Sequence, residues 1–172
     1  MYGVVAYFNA KTLTEMPLTL VTPMVYTIIV YFGMGFTVTA DQFFTFYFAL
    51  WALVECSMSL GYMVSSIFHN YATASMVAPM LMMPFMLFSG FYSNLHTIPN
   101  WLAWVQWTSP IRYALEAMIS NEYRTVEPDT FDICEALNFK LGTWPSIGIM
   151  LGIAYLCRIL AAIGLKSLIT RF

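Results

Sequence analysis

Four long apolar stretches dominate the pattern of hydrophobic and polar positions along this chain. They cover residues 18–35, 43–68, 72–92 and 144–165. Within them the charged residues are Glu55 and Arg158. A helix that crosses a bilayer needs about 20 mainly apolar residues, and its backbone must satisfy its own polar groups. The pattern therefore predicts an all-α, polytopic membrane protein with four transmembrane helices.

The segments between these stretches differ in length. Residues 37–42 and 69–71 form short turns, whereas residues 93–143 form a long insert. Gly90 and Pro99 end the third stretch, because proline cannot continue a helical hydrogen-bond ladder. We expect the short turns to join antiparallel neighbours.

The long insert has two parts of different composition. Its first part is amphipathic and repeats tryptophan every three residues, at Trp101, Trp104 and Trp107. Tryptophan favours the membrane–water interface, so this part predicts short re-entrant or interfacial helices, divided at Pro110. The second part, residues 121–140, is acidic and predicts an extracellular loop.

The flanking charges predict the orientation. Lys11, Lys166 and Arg171 lie on the side of the two termini, against Glu15 alone. Cytoplasmic flanks carry an excess of lysine and arginine. We therefore expect residues 1–17 to be a cytoplasmic lead-in and residues 166–172 a cytoplasmic tail, in a plasma or organelle membrane.

The composition excludes several classes of protein. The chain is 60% hydrophobic and 9% charged, whereas soluble domains carry roughly 25% charged residues. A net charge of −2 offers no basic surface for nucleic acid. The cysteines and histidines show no metal-ligand spacing, and no catalytic cluster occurs. No lysine follows a glycine, as a P-loop requires.

Charged residues near the bilayer centre are candidates for function. A lone acid there costs about 2.5–3.5 kcal/mol, so Glu55 should face protein or a watery cavity. It either lines a polar path or fixes helix packing. Arg158 either extends towards the cytoplasmic surface or pairs, with Glu55 as one partner.

The insert carries a second group of charges, Arg112, Glu116 and Glu122. Arg112 and Glu116 are four residues apart and predict an ion pair on one helix. We expect all three to support the re-entrant helices. Two small-residue repeats, Gly148-x3-Gly152 and Ser57-x3-Gly61-x3-Ser65, predict close helix contacts.

Two motifs resemble the membrane domain of the G subfamily of ABC transporters, the White/pigment-precursor half-transporters. The first motif, Y-x4-YF-x2-K-x-L-x-E-x-P, is matched by Tyr2, Tyr7, Phe8, Lys11, Leu13, Glu15 and Pro17. The second reads SGF-x3-N-x3-IP-x-WL-x-W, then SP-x-RY-x2-E and NE. It is matched by Ser89, Gly90, Phe91, Asn94, Ile98, Pro99, Trp101, Leu102, Trp104, Ser109, Pro110, Arg112, Tyr113, Glu116, Asn121 and Glu122.

The resemblance implies the permease portion of an ATP-driven exporter. Such a protein moves amphipathic or lipid-like compounds by alternating access in a homo- or heterodimer of half-transporters. The four stretches would be the third to sixth of six spans. ATP and Mg²⁺ would bind a nucleotide-binding domain that these residues do not include, so the chain itself is not expected to be an enzyme or to hold a cofactor.

The resemblance also assigns roles to individual residues. Phe91 and Tyr92 align with an outer gate that closes the pathway by excluding water. Met83 and Met86 share a helix face that borders the substrate cavity. Cys134, in the outer loop, either forms an intermolecular disulfide or remains a free thiol.

A different function also fits the sequence. The chain opens as though in the middle of an element, which predicts a piece of a longer polypeptide. A truncated remnant would associate with full-length half-transporters and regulate them without transporting anything itself.

Overall fold

The computed structural model describes residues 4–35, 39–68, 70–90, 103–123, 139 and 141–169. All regular structure in these ranges is helical, which confirms the all-α prediction. The helices are α1 (Val4–Met34), α2 (Ala40–Ile67), α3 (Tyr71–Leu87), α4 (Ala103–Thr108), α5 (Pro110–Glu122) and α6 (Thr143–Ile169).

Three of the described helices are long and apolar enough to cross a membrane. The qualifying segments are Asn9–Met34, Ala40–Ile67 and Thr143–Lys166. The remaining apolar stretch forms α3, whose 17 residues span about 25 Å at 1.5 Å per residue. This is shorter than the hydrocarbon core of about 30 Å. Length alone therefore supports three crossings, and the predicted fourth depends on how α3 continues.

The first helix begins earlier than the apolar stretch that predicted it. It starts at Val4 rather than Leu18 and includes Pro17 and Pro23. Such prolines are tolerated in membrane helices where local groups satisfy the freed backbone. The carbonyls that these prolines leave without a helical donor are those of Leu13 and Thr19, four residues earlier. One turn after Pro23, the Thr27 hydroxyl donates to the Pro23 carbonyl at 2.7 Å, a local side-chain bond common for threonine in helices. The sequence of residues 1–17, predicted as a lead-in, is thus largely part of α1.

Helices α2 and α6 share the largest interface and run parallel. Two contacts set their direction. Glu55 meets Arg158, and farther along both helices a Cβ on Gly164 would lie 2.8 Å from Ser66 Oγ. Because both partners advance together, the helices point the same way. The chain between them must therefore return across the bundle.

The return path is divided between α3 and α5. Helix α3 follows α2 after a short turn, and α5 ends beside the start of α2, where Asn121 Nδ2 donates to the Gln42 carbonyl at 2.9 Å. The start of α5 meets the last turn of α3, since Ser109 Oγ donates to the Phe85 carbonyl at 2.8 Å. We call these two short helices the interrupted crossing, because together they run from the end of α2 back to its start.

Helix lengths agree with this arrangement. The 28 residues of α2 extend about 42 Å, and α3 and α5 together extend about 45 Å.

The break between α4 and α5 occurs at Pro110, where the sequence predicts it, and the proline occupies the first turn of α5. There its missing N–H costs no helical hydrogen bond.

The core lies where α2, α5 and α6 meet. It consists of Ala49, Ala52, Tyr113, Ala114, Ala117, Ile147 and Met150. Four of these seven residues are alanines, whose small side chains let the helices approach closely. Tyr113 and Met150 fill the space that remains. This packing holds the interrupted crossing against two continuous helices.

A candidate intramembrane polar site

The centre of the site is an ion pair between two spanning helices. The Arg158 guanidinium on α6 donates to Glu55 Oε2 on α2. Only 6% of Glu55 is exposed, so an unpaired carboxylate there would be costly. Of the alternatives that the sequence left open for Arg158, the structure shows the pair with Glu55. Cys56 and Cys157, which neighbour these two residues in the sequence, are buried and form no disulfide with another described residue.

A cavity of about 220 Å³ adjoins this pair between α1, α2 and α6. Its wall includes Met16 on α1, Trp51 on α2 and Tyr155 on α6, together with the ion pair. Among the described residues, Arg158 Nε and Trp51 Nε1 have no hydrogen-bond partner. A water molecule occupies about 30 Å³ in the liquid, so the cavity has room for several. The cavity is mainly apolar, with the ion pair in its wall.

Arg112 and Glu116 organise the interrupted crossing. Both are buried on α5, with 3% and 0% exposure. Arg112 Nη1 donates to Gln106 Oε1 on α4 at 3.0 Å, and its guanidinium lies 4.8 Å from the Trp107 ring centroid. Glu116 Oε1 accepts from the Leu141 N–H at 2.6 Å. These contacts connect α5 to α4 and to the segment before α6. The predicted ion pair within α5 would make neither of these connections.

Several residues of this arrangement were missed by reasoning from the sequence. Gln106 receives Arg112, and Gln42 and Asn121 exchange side-chain hydrogen bonds with each other's carbonyls. Asn121 belongs to the second motif, but nothing local identifies Gln42 as its partner 79 positions away. Glu122 is half-buried at the end of α5.

Tyr113 adds a further contact to α5. Its hydroxyl donates to the Trp107 carbonyl at 2.8 Å. Tyr113 is 3% exposed, so its hydroxyl needs a hydrogen-bond partner within the protein.

The two methionines predicted to border a substrate cavity are exposed on α3. Met83 is 66% and Met86 49% exposed, and they lie three positions apart on one helix face. Phe91, Tyr92 and Cys134 lie outside the described residues, so their roles stay predictions.

The predicted small-residue contacts are not formed within the described chain. A Cβ at Gly61, Gly148 or Gly152 would meet nothing within 4 Å. The close approach lies instead between Gly164 and Ser66. Close contact requires a neighbour on the same face, and the repeats do not encode where that neighbour is.

The described residues hold no group of three or more potential metal ligands. They offer instead the ion pair between Glu55 and Arg158, the cavity beside it, and an interrupted crossing that is held in place by the contacts of Arg112 and Glu116. Such interruptions occur where helices line a pathway through a membrane.

Comparison with known sequences agrees with this description. The family described as ABC-2 type transporter matches residues 1–123. Protein white of Drosophila melanogaster is 31% identical over 181 aligned positions, covering 96% of this chain and 26% of that protein. ABC transporter G family member 2 of Dictyostelium discoideum is 36% identical over 124, covering 71% and 9%.

A third relative is ABC transporter ATP-binding protein/permease wht-1 of Caenorhabditis elegans. It is 30% identical over 153 positions, which cover 86% of this chain and 22% of the relative. The chain thus spans about a quarter or less of the length of these relatives. It belongs to the ABC-2 type transporter family, as part of the multi-pass membrane domain of a G-subfamily ABC transporter.

Proposed function

We propose that this chain is the permease portion of an ATP-driven exporter that moves amphipathic or lipid-like compounds across a membrane. The observation that carries the proposal is the interrupted crossing of α3 and α5, braced by Arg112 and Glu116, in a chain of this family. A break in a crossing provides irregular backbone that can line a pathway. The apolar surface of α3 suits amphipathic cargo better than ions.

In this proposal the chain crosses the membrane four times, with the third crossing shared between α3 and α5. Both termini face the cytoplasm, and the acidic residues 121–140 form an outer loop. The parallel direction of α2 and α6 supports an odd number of returns between them. Lys11 and Lys166 lie at the same end of the bundle, in agreement with the positive-inside tendency.

The transport path lies between two copies or between this chain and another half-transporter. Met83 and Met86 are exposed in the single chain, and in a dimer they would line the cavity between partners. Methionine's flexible thioether suits a surface that accepts varied apolar molecules. Phe91 and Tyr92 would form the outer gate above this cavity, and Cys134 is the candidate for a disulfide in the outer loop.

ATP and Mg²⁺ would bind a nucleotide-binding domain outside these 172 residues. The name of the Caenorhabditis elegans relative describes both an ATP-binding protein and a permease. Within the present sequence no lysine has the preceding glycine of a P-loop. The free energy of ATP hydrolysis would therefore reach this chain through its contact with that domain.

Co-reconstitution tests the proposal. Vesicles would contain this chain with a G-subfamily half-transporter that carries a nucleotide-binding domain, and ATP-dependent movement of a fluorescent amphipathic dye would be measured. Controls are the partner alone and a partner with its P-loop lysine replaced. We expect added flux only with this chain and an intact P-loop. Equal flux without ATP would contradict the proposal, and reduced partner flux would favour a regulatory remnant.

A further inference from the structure

A second cavity, larger than the one beside the ion pair, lies between α1 and α2. It has a volume of about 650 Å³ and is open on one side. Leu18 and Thr22 line it from α1, and Val54, Met58 and Gly61 from α2. We call it the α1–α2 groove. Its lining is almost entirely apolar, so in a membrane it would be occupied by hydrocarbon rather than water.

A glycine in the α2 wall leaves one position of the groove without a side chain. A Cβ placed on Gly61 would meet nothing within 4 Å, so the space beside this position is open. On the opposite wall Leu18 is 62% exposed. An unbranched chain could therefore lie against Gly61 and contact both helices along its length.

A cation lies at one end of the groove. Tyr62 belongs to its lining, and Lys11 Nζ lies 4.8 Å from the Tyr62 ring centroid. Lys11 is close to the start of the membrane-spanning segment Asn9–Met34. Along α1 it precedes Leu18 by about 10 Å at 1.5 Å per residue. The ammonium is thus at head-group depth, and the groove runs from it towards the bilayer centre.

Lys11 retains capacity for another partner. Its closest described carboxylate oxygen, Glu15 Oε1, is 4.0 Å away, which is longer than a charge-assisted hydrogen bond. An ammonium has three donors, and the Tyr62 ring engages one face of it. A phosphate oxygen can therefore be accommodated, with Glu15 as a competing anion.

We propose that the α1–α2 groove binds one acyl chain of a phosphate-bearing membrane lipid, whose phosphate is held by Lys11. The apolar channel accepts the chain, and the cation at its mouth fixes the head group. Another transmembrane helix would also fill the groove, but its apolar side chains would offer no anion to the Lys11 ammonium at head-group depth.

Photolabelling with a lipid tests this site. The probe is a phosphatidylglycerol, which carries a net negative phosphate, with a diazirine in one acyl chain, present in vesicles that contain the full chain. Mass spectrometry of peptides would locate the label. We expect labelling at Leu18, Thr22 and Met58 several-fold above that at Ile29 and Phe32, which are exposed on α1 outside the groove.

Two substitutions separate this site from general contact with lipid. Gly61→Leu fills the groove and should lower its labelling to the level of Ile29. Gly152→Leu is the matched control, because that glycine is equally unobstructed and lies on α6, outside the groove. Both changes favour helix formation, and thermal unfolding would show that both variants are folded.

Variants of Lys11 and Glu15 test whether the lipid phosphate contributes to binding. Lys11→Gln should reduce groove labelling by about fivefold, the effect of one cation near a lipid head group, and Glu15→Gln should increase it. A diacylglycerol with the same diazirine chain but no phosphate should label the groove equally in wild type and Lys11→Gln.

Three results would overturn the proposal. The first is equal labelling of the groove and of Ile29 and Phe32, which would mean general lipid contact. The second is no effect of Gly61→Leu. The third is a groove labelled only after dilution to monomers, which would show that a second copy of the chain occupies it.

Discussion

Arg158 on α6 donates to Glu55 on α2, and this ion pair joins two parallel spanning helices within the apolar bundle. The two residues are 103 positions apart in the sequence. Glu55 is buried, whereas the Arg158 side chain remains 26% exposed. The pair therefore fixes the register of α2 against α6 at one depth, with a cavity on its open side.

Removing one member of this pair should destabilise the chain more than removing both. Glu55→Gln leaves the Arg158 charge without its anion, at a cost of about 2 kcal/mol after allowance for the exposure of the arginine. The double variant Glu55→Gln with Arg158→Gln should recover part of that loss. Unfolding in a denaturing detergent series would measure it.

The exposed pair Lys11–Glu15 is the matched control, and Glu15→Gln should cost no more than about 0.5 kcal/mol. Strictly additive effects of Glu55→Gln and Arg158→Gln would contradict an interaction between them.

The contact between Glu116 and the Leu141 N–H should be measurable at a single amide. Glu116→Ala removes the acceptor of a short hydrogen bond and leaves a part-buried donor unpaired, which costs about 1–3 kcal/mol. Hydrogen exchange at Leu141 should therefore accelerate. Glu116→Gln keeps a carbonyl oxygen and should retain most of the protection. The same exchange rate in wild type and Glu116→Ala would mean that this contact does not hold the segment before α6.

The approach of α2 and α6 predicts different outcomes for glycines on one helix. Gly164→Ala places a Cβ 2.8 Å from Ser66 Oγ and 3.2 Å from Ser66 Cβ, so the helices must separate and stability should fall. Gly148→Ala and Gly152→Ala meet nothing within 4 Å and should gain about 1 kcal/mol or less from helix propensity. Thermal unfolding of the three variants distinguishes these effects.

Combining Gly164→Ala with Ser66→Gly should restore stability, because the second change removes the obstructing side chain. If Gly164→Ala stabilises the chain as Gly148→Ala does, the close approach is wrong.

Tyr113 should contribute through its hydroxyl as well as through its ring. Tyr113→Phe removes the donor to the Trp107 carbonyl and should cost about 1 kcal/mol. Tyr155→Phe on α6 is the control, since Tyr155 is 69% exposed and its loss should be small. The comparison uses the detergent unfolding midpoint, and equal shifts would exclude a specific role for the Tyr113 hydroxyl.

The prediction for α3 was limited because composition does not show how a short apolar helix continues. Residues 72–92 are mainly apolar and carry no charge, and their length favours one span. In the structure α3 ends at Leu87. Helix α5 then continues in its place, because Ser109 at its start contacts Phe85 in the last turn of α3. That continuation depends on the position of two distant segments, which no local pattern of apolar residues records.

The polar residues show the same limit. Burial of Glu55 and the need for a partner follow from its place in an apolar stretch, because a lone charge is costly in lipid. The choice of Arg158 required the register between α2 and α6. Arg112 and Glu116 satisfy the spacing for a pair on one helix, yet each makes a described contact with another segment that helix geometry alone does not reveal.

The membrane setting, the helical class, the family and the break at Pro110 are all predicted from the amino-acid sequence alone. Each follows from local composition or from residues close together along the chain. Packing in three dimensions sets the parallel direction of α2 and α6, the return of the chain through α3 and α5 and the partners of the buried charges. These depend on which helix faces meet, and helices far apart in sequence meet only when the whole bundle has packed.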